Sequence, residues 1–499
     1  MSNKRRDQFL IFCVLIAVAI LSLGSYIVWS STAEGPGFPL DDAWIHQTYA
    51  RNLIQHTEWS FIPGIPSGGS TAPLWSAILA IGYVIGISPF PWTYFLGFSM
   101  LLCLAYVCYA WLRLRLPHFP RWFAIIGLII LLEWHLVWAA LSGMETLAIA
   151  LLAAFVLMQM DRDSGNFLLI GAFIGVGIWI RPDALLLVLP AIWILIFRHY
   201  PEWKKVIRQG LLLTGGLLAV VLPYLFFNLA ISGSIWPNTF YAKQAEYAVL
   251  SELPLWMRIL DQAQMPLVGV GILLLPGIVA LAVDVVRTRS WGRLAPLLWI
   301  LTYLLLYAYR LPVTYQHGRY AMPVIPAVIV LGLEGFAILG DRFRNQSIWR
   351  PISRTWAISI GVVLVIFWVI GGRAYVRDVA IIETEMVAAA KWIEANTPYE
   401  ALIAGHDIGA LGYYGDRHII DLAGLISPEV IPFIRDEDAL AEFLYAKEAS
   451  YLITFPGWYP KLIEHGDEIF STLGVYSPEA GGENMHIYRW QIDLLPLVD

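Results

Sequence analysis

Apolar runs dominate the chain. Crossing a bilayer as a helix takes roughly 20 residues, and runs of that order are read at about 9–29, 92–112, 122–141, 144–160, 166–180, 183–198, 210–230, 265–286, 292–309, 320–339 and 355–371. A further stretch, TAPLWSAILAIGYVIGIS at 71–88, is short and bounded by Pro73 and Pro89. Basic residues decide whether it crosses, because short cytoplasmic loops accumulate Lys and Arg. If 73–87 lies on or dips into the membrane, one side receives eighteen basic residues before residue 371: Lys4, Arg5, Arg6, Arg113, Arg115, Arg121, Arg162, Arg198, Lys204, Lys205, Arg208, Arg287, Arg289, Arg293, Arg342, Arg344, Arg350 and Arg354. The other side receives six, Arg51, Arg181, Lys243, Arg258, Arg310 and Arg319. A crossing at 73–87 inverts this asymmetry everywhere but at the N-terminus, so the segment is read as an interfacial or re-entrant helix. The pattern therefore predicts a polytopic α-helical membrane protein with about eleven transmembrane helices. On one extracytoplasmic face it places the loop 31–72, the turns at 142–146 and 181–183, the loops 231–264 and 310–319, and the tail from 372.

The tail is less apolar and its periodicity changes. Helical spacing over 385–396 and 438–448 alternates with strand-like runs at 401–405, 418–422 and 450–455, which predicts a small α/β domain over 372–499. The N-terminus, MSNKRRDQ followed by apolar sequence to Trp29, has the charged start of a signal peptide but a longer apolar run, and is read as a retained first transmembrane helix.

Composition narrows the classes. Hydrophobic residues make up 58% of the 499 positions and charged ones 14%, outside the range of soluble globular domains. The net charge of −6 comes with no basic cluster beyond short loops, which argues against nucleic acid as a partner. Cys13, Cys103 and Cys108 all fall in apolar runs and build no disulfide framework.

The candidate chemistry gathers on the face poor in basic residues. Asp41 and Asp42 open a segment in which Ile45, Tyr49, Asn52 and Leu53 share a helical face, so both carboxylates suit the positive end of a helix dipole. An N-cap accounts for one of them. The second stands near a membrane surface, where charge is costly unless used. Glu145, in SGMET between two crossing helices, is either a site residue or a helix N-terminal acid with Ser142 as cap. Arg181 and Asp183 either pair with each other at the break made by Pro182 or meet substrate. Lys243 in PNTFYAK and Arg319 in HGRYAMPVIP bring cations to a face that has few, and phosphate recognition needs them; the alternative is interfacial anchoring. Arg51 and Tyr320 complete the candidate substrate-binding set. His46 and His317 have no metal-ligand spacing and are read as structural or hydrogen-bonding.

Seven segments carry a family resemblance: DDAWI to YARNL (41–53), STAPLW (70–75), SGMET (142–146), IRPD (180–183), PNTFYAK (237–243), HGRYAMPVIP (317–326), and DIGALGYYG with DLAGL (407–415 and 421–425). In this order the chain resembles the GT-C superfamily of integral-membrane glycosyltransferases, in particular its bacterial polyprenyl-phosphate-sugar-dependent members such as the mycobacterial terminal arabinofuranosyltransferase. The resemblance implies a transmembrane catalytic domain over 1–371, with 31–91 as first extracytoplasmic loop and interfacial helix, in a bacterial plasma membrane. It implies Asp41 or Asp42 as catalytic base, a sugar donor on polyprenyl phosphate, and a cell-envelope glycan, lipid or protein as acceptor. No cofactor is demanded, and a divalent cation is left open as an aid. A lipid or polysaccharide transporter and a non-catalytic envelope scaffold are the rival readings; a transporter predicts charges near the midplane and repeated halves.

Overall fold

The computed structural model describes residues 3–117 and 122–491; Arg121 of the basic count, the first two residues and the last eight of the tail lie outside the described residues. Every apolar run named above contains helix. Eight helical stretches among the described residues are long and apolar enough to cross a membrane: Ile11–Ser31, Pro89–Arg115, Pro182–His199, Trp203–Ser232, Val270–Thr288, Trp291–Arg310, Tyr315–Phe343 and Trp349–Asn396. The remaining three runs are shorter or interrupted. Thr146–Asp161 and Phe167–Ile180 span 16 and 14 residues, and the run at 122–141 breaks into Trp122–Leu132 and Trp134–Leu141. The break has a local cause: the buried Glu133 side chain accepts from Leu136 N at 2.9 Å and so starts a new helix.

Small residues let the helices approach closely. A Cβ on Gly335 would meet the Gly277 carbonyl oxygen at 1.7 Å, so Val270–Thr288 and Ile325–Phe343 touch backbone to backbone. The first helix is built into the bundle as well, since Tyr26 donates to the Trp368 carbonyl at 2.7 Å and Trp368 donates to Ser22 at 2.9 Å. The short helix Pro73–Val84 begins at a proline and ends before Gly86, at φ +72, which turns the chain into the helix starting at Pro89.

The end of the bundle away from the candidate residues holds a buried ion network. Arg115 bonds Asp161 at 2.5 Å and also Glu334, while Arg293 bonds Glu334 at 2.6 Å and Asp284 at 2.7 Å. Two residues counted as loop charges are thus neutralised by acids of the bundle and tie five helical stretches together.

In the tail the expected strands form at Leu402–Gly405, His418–Asp421 and Tyr451–Thr454, mutually parallel with Leu402–Gly405 in the centre. Two further strands, Gly466–Ser471 and His486–Trp490, extend the sheet antiparallel beyond Tyr451–Thr454. Neither has the clean alternation that marks a half-buried strand, which is why the pattern missed them. Helix Glu437–Ala446 packs one face of the sheet. Its other face is closed partly by Ile45 and Tyr49 from the first loop, which join Ile403, Leu411 and Ile453 in one core. A continuous helical stretch, Trp349–Asn396, leads from the bundle into this sheet and passes residue 371 unbroken.

Candidate active site

The first loop carries the helix Asp42–Gln55, with Asp41 at its N-cap. The expected amphipathic face gives way to a helix buried nearly all round, from Ala43 to Ala50 and at Asn52. The tail covers the side a membrane-surface helix would show to water, with Tyr413 and Tyr414 against Trp44. The two aspartates diverge from there. Asp41 makes no capping bond in its own helix; its oxygens accept from Gly409 N at 2.6 Å and Ala410 N at 2.7 Å, fastening the short helix Gly409–Tyr414 of the tail. Only glycine fits at 409, because a Cβ there would meet the Asp41 carbonyl oxygen at 2.0 Å. Burial first, then neighbouring Asp407, pushes Asp41 up to about 8, against the pull of the two N–H bonds.

Asp42 points the other way. Its Oδ2 accepts from Lys243 Nζ at 3.1 Å and Arg319 Nη2 at 2.6 Å. Burial raises its pKa, but the two cations outweigh that and hold it well below the usual carboxylate range. The Tyr320 hydroxyl lies 3.4 Å from Lys243 Nζ and 3.2 Å from Arg319 Nη2 and accepts from both. Arg319 is 5% exposed, yet its Nε and Nη1 have no hydrogen-bond partner. A buried guanidinium with two idle donors is a costly arrangement unless an anion arrives to fill it.

A left-handed turn aims Arg319. Gln316, His317 and Gly318 have φ of +54°, +59° and +66°, and left-handed geometry is strained for the first two. His317 Nε2 meets Asp378 Oδ2 at 2.7 Å, and Trp138 donates to the same oxygen at 2.9 Å, so the turn is pinned to two helices. Asp378→Asn is expected to loosen the turn and lower the unfolding temperature. Adding Gln316→Gly, which accepts the turn without strain, should restore part of it. Thermal unfolding of both variants checks this.

The motifs interlock around a cavity of about 330 Å³. Trp75 of STAPLW donates to the Gly143 carbonyl at 2.8 Å, and Gly143, at φ +76, makes the SGMET turn. Thr239 of PNTFYAK donates to the Gly69 carbonyl at 2.7 Å. Asp421 accepts from Ala423 N and Ile426 N, both at 2.8 Å, shaping the turn that brings Leu425 to the wall. All six segments expected on one face contribute to this lining. Asp42, Glu145, Arg181, Lys243, Arg319 and Tyr320 come together there, beside an apolar part formed by Leu185, Leu186, Trp236, Phe240, Leu306 and Leu311.

Two candidates stand apart. Asp41 does not line the cavity, and neither does Arg51, which donates to the carbonyls of Tyr413 at 2.7 Å and Gly412 at 3.2 Å. Both tie the first-loop helix to the tail. Ser142 does not cap the helix after it; its hydroxyl donates to the Ala139 carbonyl at 2.8 Å. Arg181 does pair with Asp183, at 2.8 Å, and both line the cavity. The Asp378 contact to His317 had no sequence signal, because the partners lie 61 residues apart with no shared motif.

Among the described residues no group of three or more His, Cys, Asp or Glu side chains that could hold a metal ion comes together, and the Asp42 carboxylate accepts from Lys243 and Arg319.

Known proteins share this architecture. ArnT from Cupriavidus metallidurans, solved bound to undecaprenyl phosphate, superposes with a TM-score of 0.59 at 15% identity, over 97% of this chain and 98% of its own. The oligosaccharyltransferase AglB from Archaeoglobus fulgidus, in complex with an inhibitory peptide and a dolichol-phosphate, gives 0.61 at 13% identity, over 100% of this chain and 76% of its own. Both are GT-C membrane glycosyltransferases, as is the arabinofuranosyltransferase AftD from Mycobacteria, which gives 0.51 at 14% identity over 95% of this chain and 41% of its own. The chain has the GT-C fold. Within it, residues 377–488 match a family model described as a domain of unknown function (DUF8728). No curated protein matches the chain in sequence.

Proposed function

We propose that this GT-C chain is a membrane glycosyltransferase that moves a sugar from a polyprenyl-phosphate donor to a cell-envelope glycan, lipid or protein acceptor on the extracytoplasmic side of a bacterial plasma membrane. The observation that carries the reading is Arg319, buried in the cavity wall beside Lys243 with Nε and Nη1 idle. A phosphate supplies the acceptors those donors lack, through charge-assisted bonds. The apolar part of the cavity suits the first isoprene units. ArnT bound to undecaprenyl phosphate and AglB with a dolichol-phosphate lend support from two proteins of the same fold.

The chemistry follows from the ion triad. In the ligand-free site Asp42 is the counter-ion of Lys243 and Arg319. A donor phosphate takes over that role, which weakens the hold on Asp42 and raises its basicity. An acceptor hydroxyl then passes its proton to Asp42 while its oxygen bonds to the anomeric carbon. The bond from that carbon to the phosphate oxygen breaks, and the charge left on the polyprenyl phosphate stays on Lys243 and Arg319. The chain works as two units in this reading: 1–371 holds the donor, and 372–499 fastens the first-loop helix through Asp41 and Arg51.

Sidedness is tested by cysteine labelling with a membrane-impermeant reagent. A cysteine engineered in the tail should label in intact cells and one in 198–208 should not; the reverse pattern overturns the orientation. The activity itself is tested by transfer of labelled sugar in proteoliposomes, where wild-type protein acts and the Arg319→Ala variant is expected to lose most of the rate.

A further inference from the structure

We propose that Glu145, Asp183 and Arg181 form the subsite that grips hydroxyl groups of the transferred sugar, an inference that rests on reading the cavity as a donor site. Glu145 is 5% exposed and the Asp183 side chain 7%, and both line the cavity. Each has one oxygen with no hydrogen-bond partner, Oε2 of Glu145 and Oδ1 of Asp183. Asp183 uses its other oxygen, Oδ2, for Arg181 at 2.8 Å, for Tyr303 at 2.9 Å and for Tyr307. Glu145 is held only loosely: its Oε1 is 3.8 Å from Arg181 Nη1 and its Oε2 is 3.5 Å from His46 Nε2. On its other side the His46 ring is held at Nδ1 by Ser76 Oγ at 3.0 Å and Ser70 Oγ at 3.4 Å.

Buried carboxylate oxygens normally collect donors, and two on one cavity wall without them imply a ligand that brings its own. An ionised carboxylate only accepts, so that ligand must present O–H or N–H donors. Burial raises the Glu145 pKa, but His46 and Arg181 overcome it and hold the group at about 2, so it is an acceptor at neutral pH. A second phosphate is repelled by two carboxylates facing one guanidinium. Sugar hydroxyls meet the requirement, and Arg181 can donate to a ring or hydroxyl oxygen. The position fits as well. Tyr320 gives its hydroxyl to the Lys243 and Arg319 side and lies with its ring centroid 5.4 Å from Arg181 Cζ. One aromatic side chain, Tyr320, is therefore in contact with Arg319 of the phosphate ligands and with Arg181, the partner of both acids, so the two groups are neighbours in one cavity.

The test compares lipids with and without the sugar. Wild type, Glu145→Gln, Glu145→Asp and Arg319→Ala, each purified in nanodiscs, are titrated with undecaprenyl phosphate and with undecaprenyl phosphate carrying glucose, mannose or arabinose. For the sugar-linked lipid that wild type binds best, Glu145→Gln should weaken binding about 10- to 100-fold, as loss of a hydrogen bond to a charged group does. Its affinity for plain undecaprenyl phosphate should stay at the wild-type value. A monodeoxy derivative lacking the matched hydroxyl should bind wild type and Glu145→Gln alike. Equal weakening for plain and sugar-linked lipid, no weakening for either, or a fall in turnover with binding intact each overturns the subsite. Glu145→Asp keeps the charge and serves the same comparison if the Gln variant does not fold. Arg319→Ala reports on the underlying reading separately: if it binds plain undecaprenyl phosphate as wild type does, the phosphate site is wrong, whatever Glu145 does.

Discussion

Asp42→Asn is expected to slow sugar transfer by roughly 10²–10⁴-fold, the usual worth of a positioned general base, while the protein stays folded and still binds the lipid. Asn is nearly isosteric and keeps an oxygen for Lys243 and Arg319, so the ion cluster is altered in charge rather than in shape. What disappears is the ability to take a proton. Asp41→Asn should behave differently. Its two carboxyl oxygens accept one backbone N–H bond each, from Gly409 and Ala410, and an amide offers only one oxygen there, which leaves a buried donor unpaired at about 1–3 kcal/mol. Asp41→Asn is therefore a stability variant, seen as a lower unfolding temperature with the residual rate close to wild type in the folded fraction. Initial rates and thermal unfolding measured on both variants separate the two roles. Wild-type transfer by Asp42→Asn would move the base elsewhere in the cavity.

Removal of either phosphate cation is the second large effect. Lys243→Ala or Arg319→Ala should weaken donor binding by about 2–4 kcal/mol, the range for a desolvated charge contact. Arg319 should sit at the upper end, because it is the more buried of the two and offers two idle nitrogens. Arg319→Lys keeps the charge but not the planar fork, so it should recover only part of the loss. Each substitution also releases Asp42 from one partner, and its pKa should rise toward the ordinary carboxylate range. The rate should then decline at a higher pH than in wild type as the solution is acidified, because a group whose depressed pKa rises takes up its proton earlier. Donor-dependent kinetics across pH 4 to 8, within the ordinary carboxylate and neutral range, read both effects.

Much of this was legible before any coordinates. The scarcity of basic residues on one face singled out Lys243 and Arg319, and both reached the cavity, because a cation near a membrane needs a reason to be there. Charge asymmetry likewise grouped the six polar segments that line the cavity together. The division of labour between Asp41 and Asp42 was not legible. Adjacent residues at a helix start point in different directions, and the partner that claims Asp41 lies 368 residues away at Gly409. Arg51 misled for the same reason: its scarcity value was real, but its donors go to the carbonyls of Gly412 and Tyr413 in a tail segment that sequence alone does not bring near. The amphipathic reading of 42–55 failed because both sides are covered: Ile45 and Tyr49 pack into the core under the tail sheet, while His46 and Gln47 are buried against Ser76 and Thr93 of the bundle. Local periodicity reports one burying surface, and this helix has two.

The most direct test of the central claim is the structure of the chain with undecaprenyl phosphate bound in a lipid environment. The account predicts phosphate oxygens within about 3 Å of Arg319 Nε and Nη1 and of Lys243 Nζ, with the Asp42 carboxylate no longer shared between the two cations. A phosphate seated elsewhere, with Asp42 still bridging Lys243 and Arg319 as it does in the free chain, would contradict it.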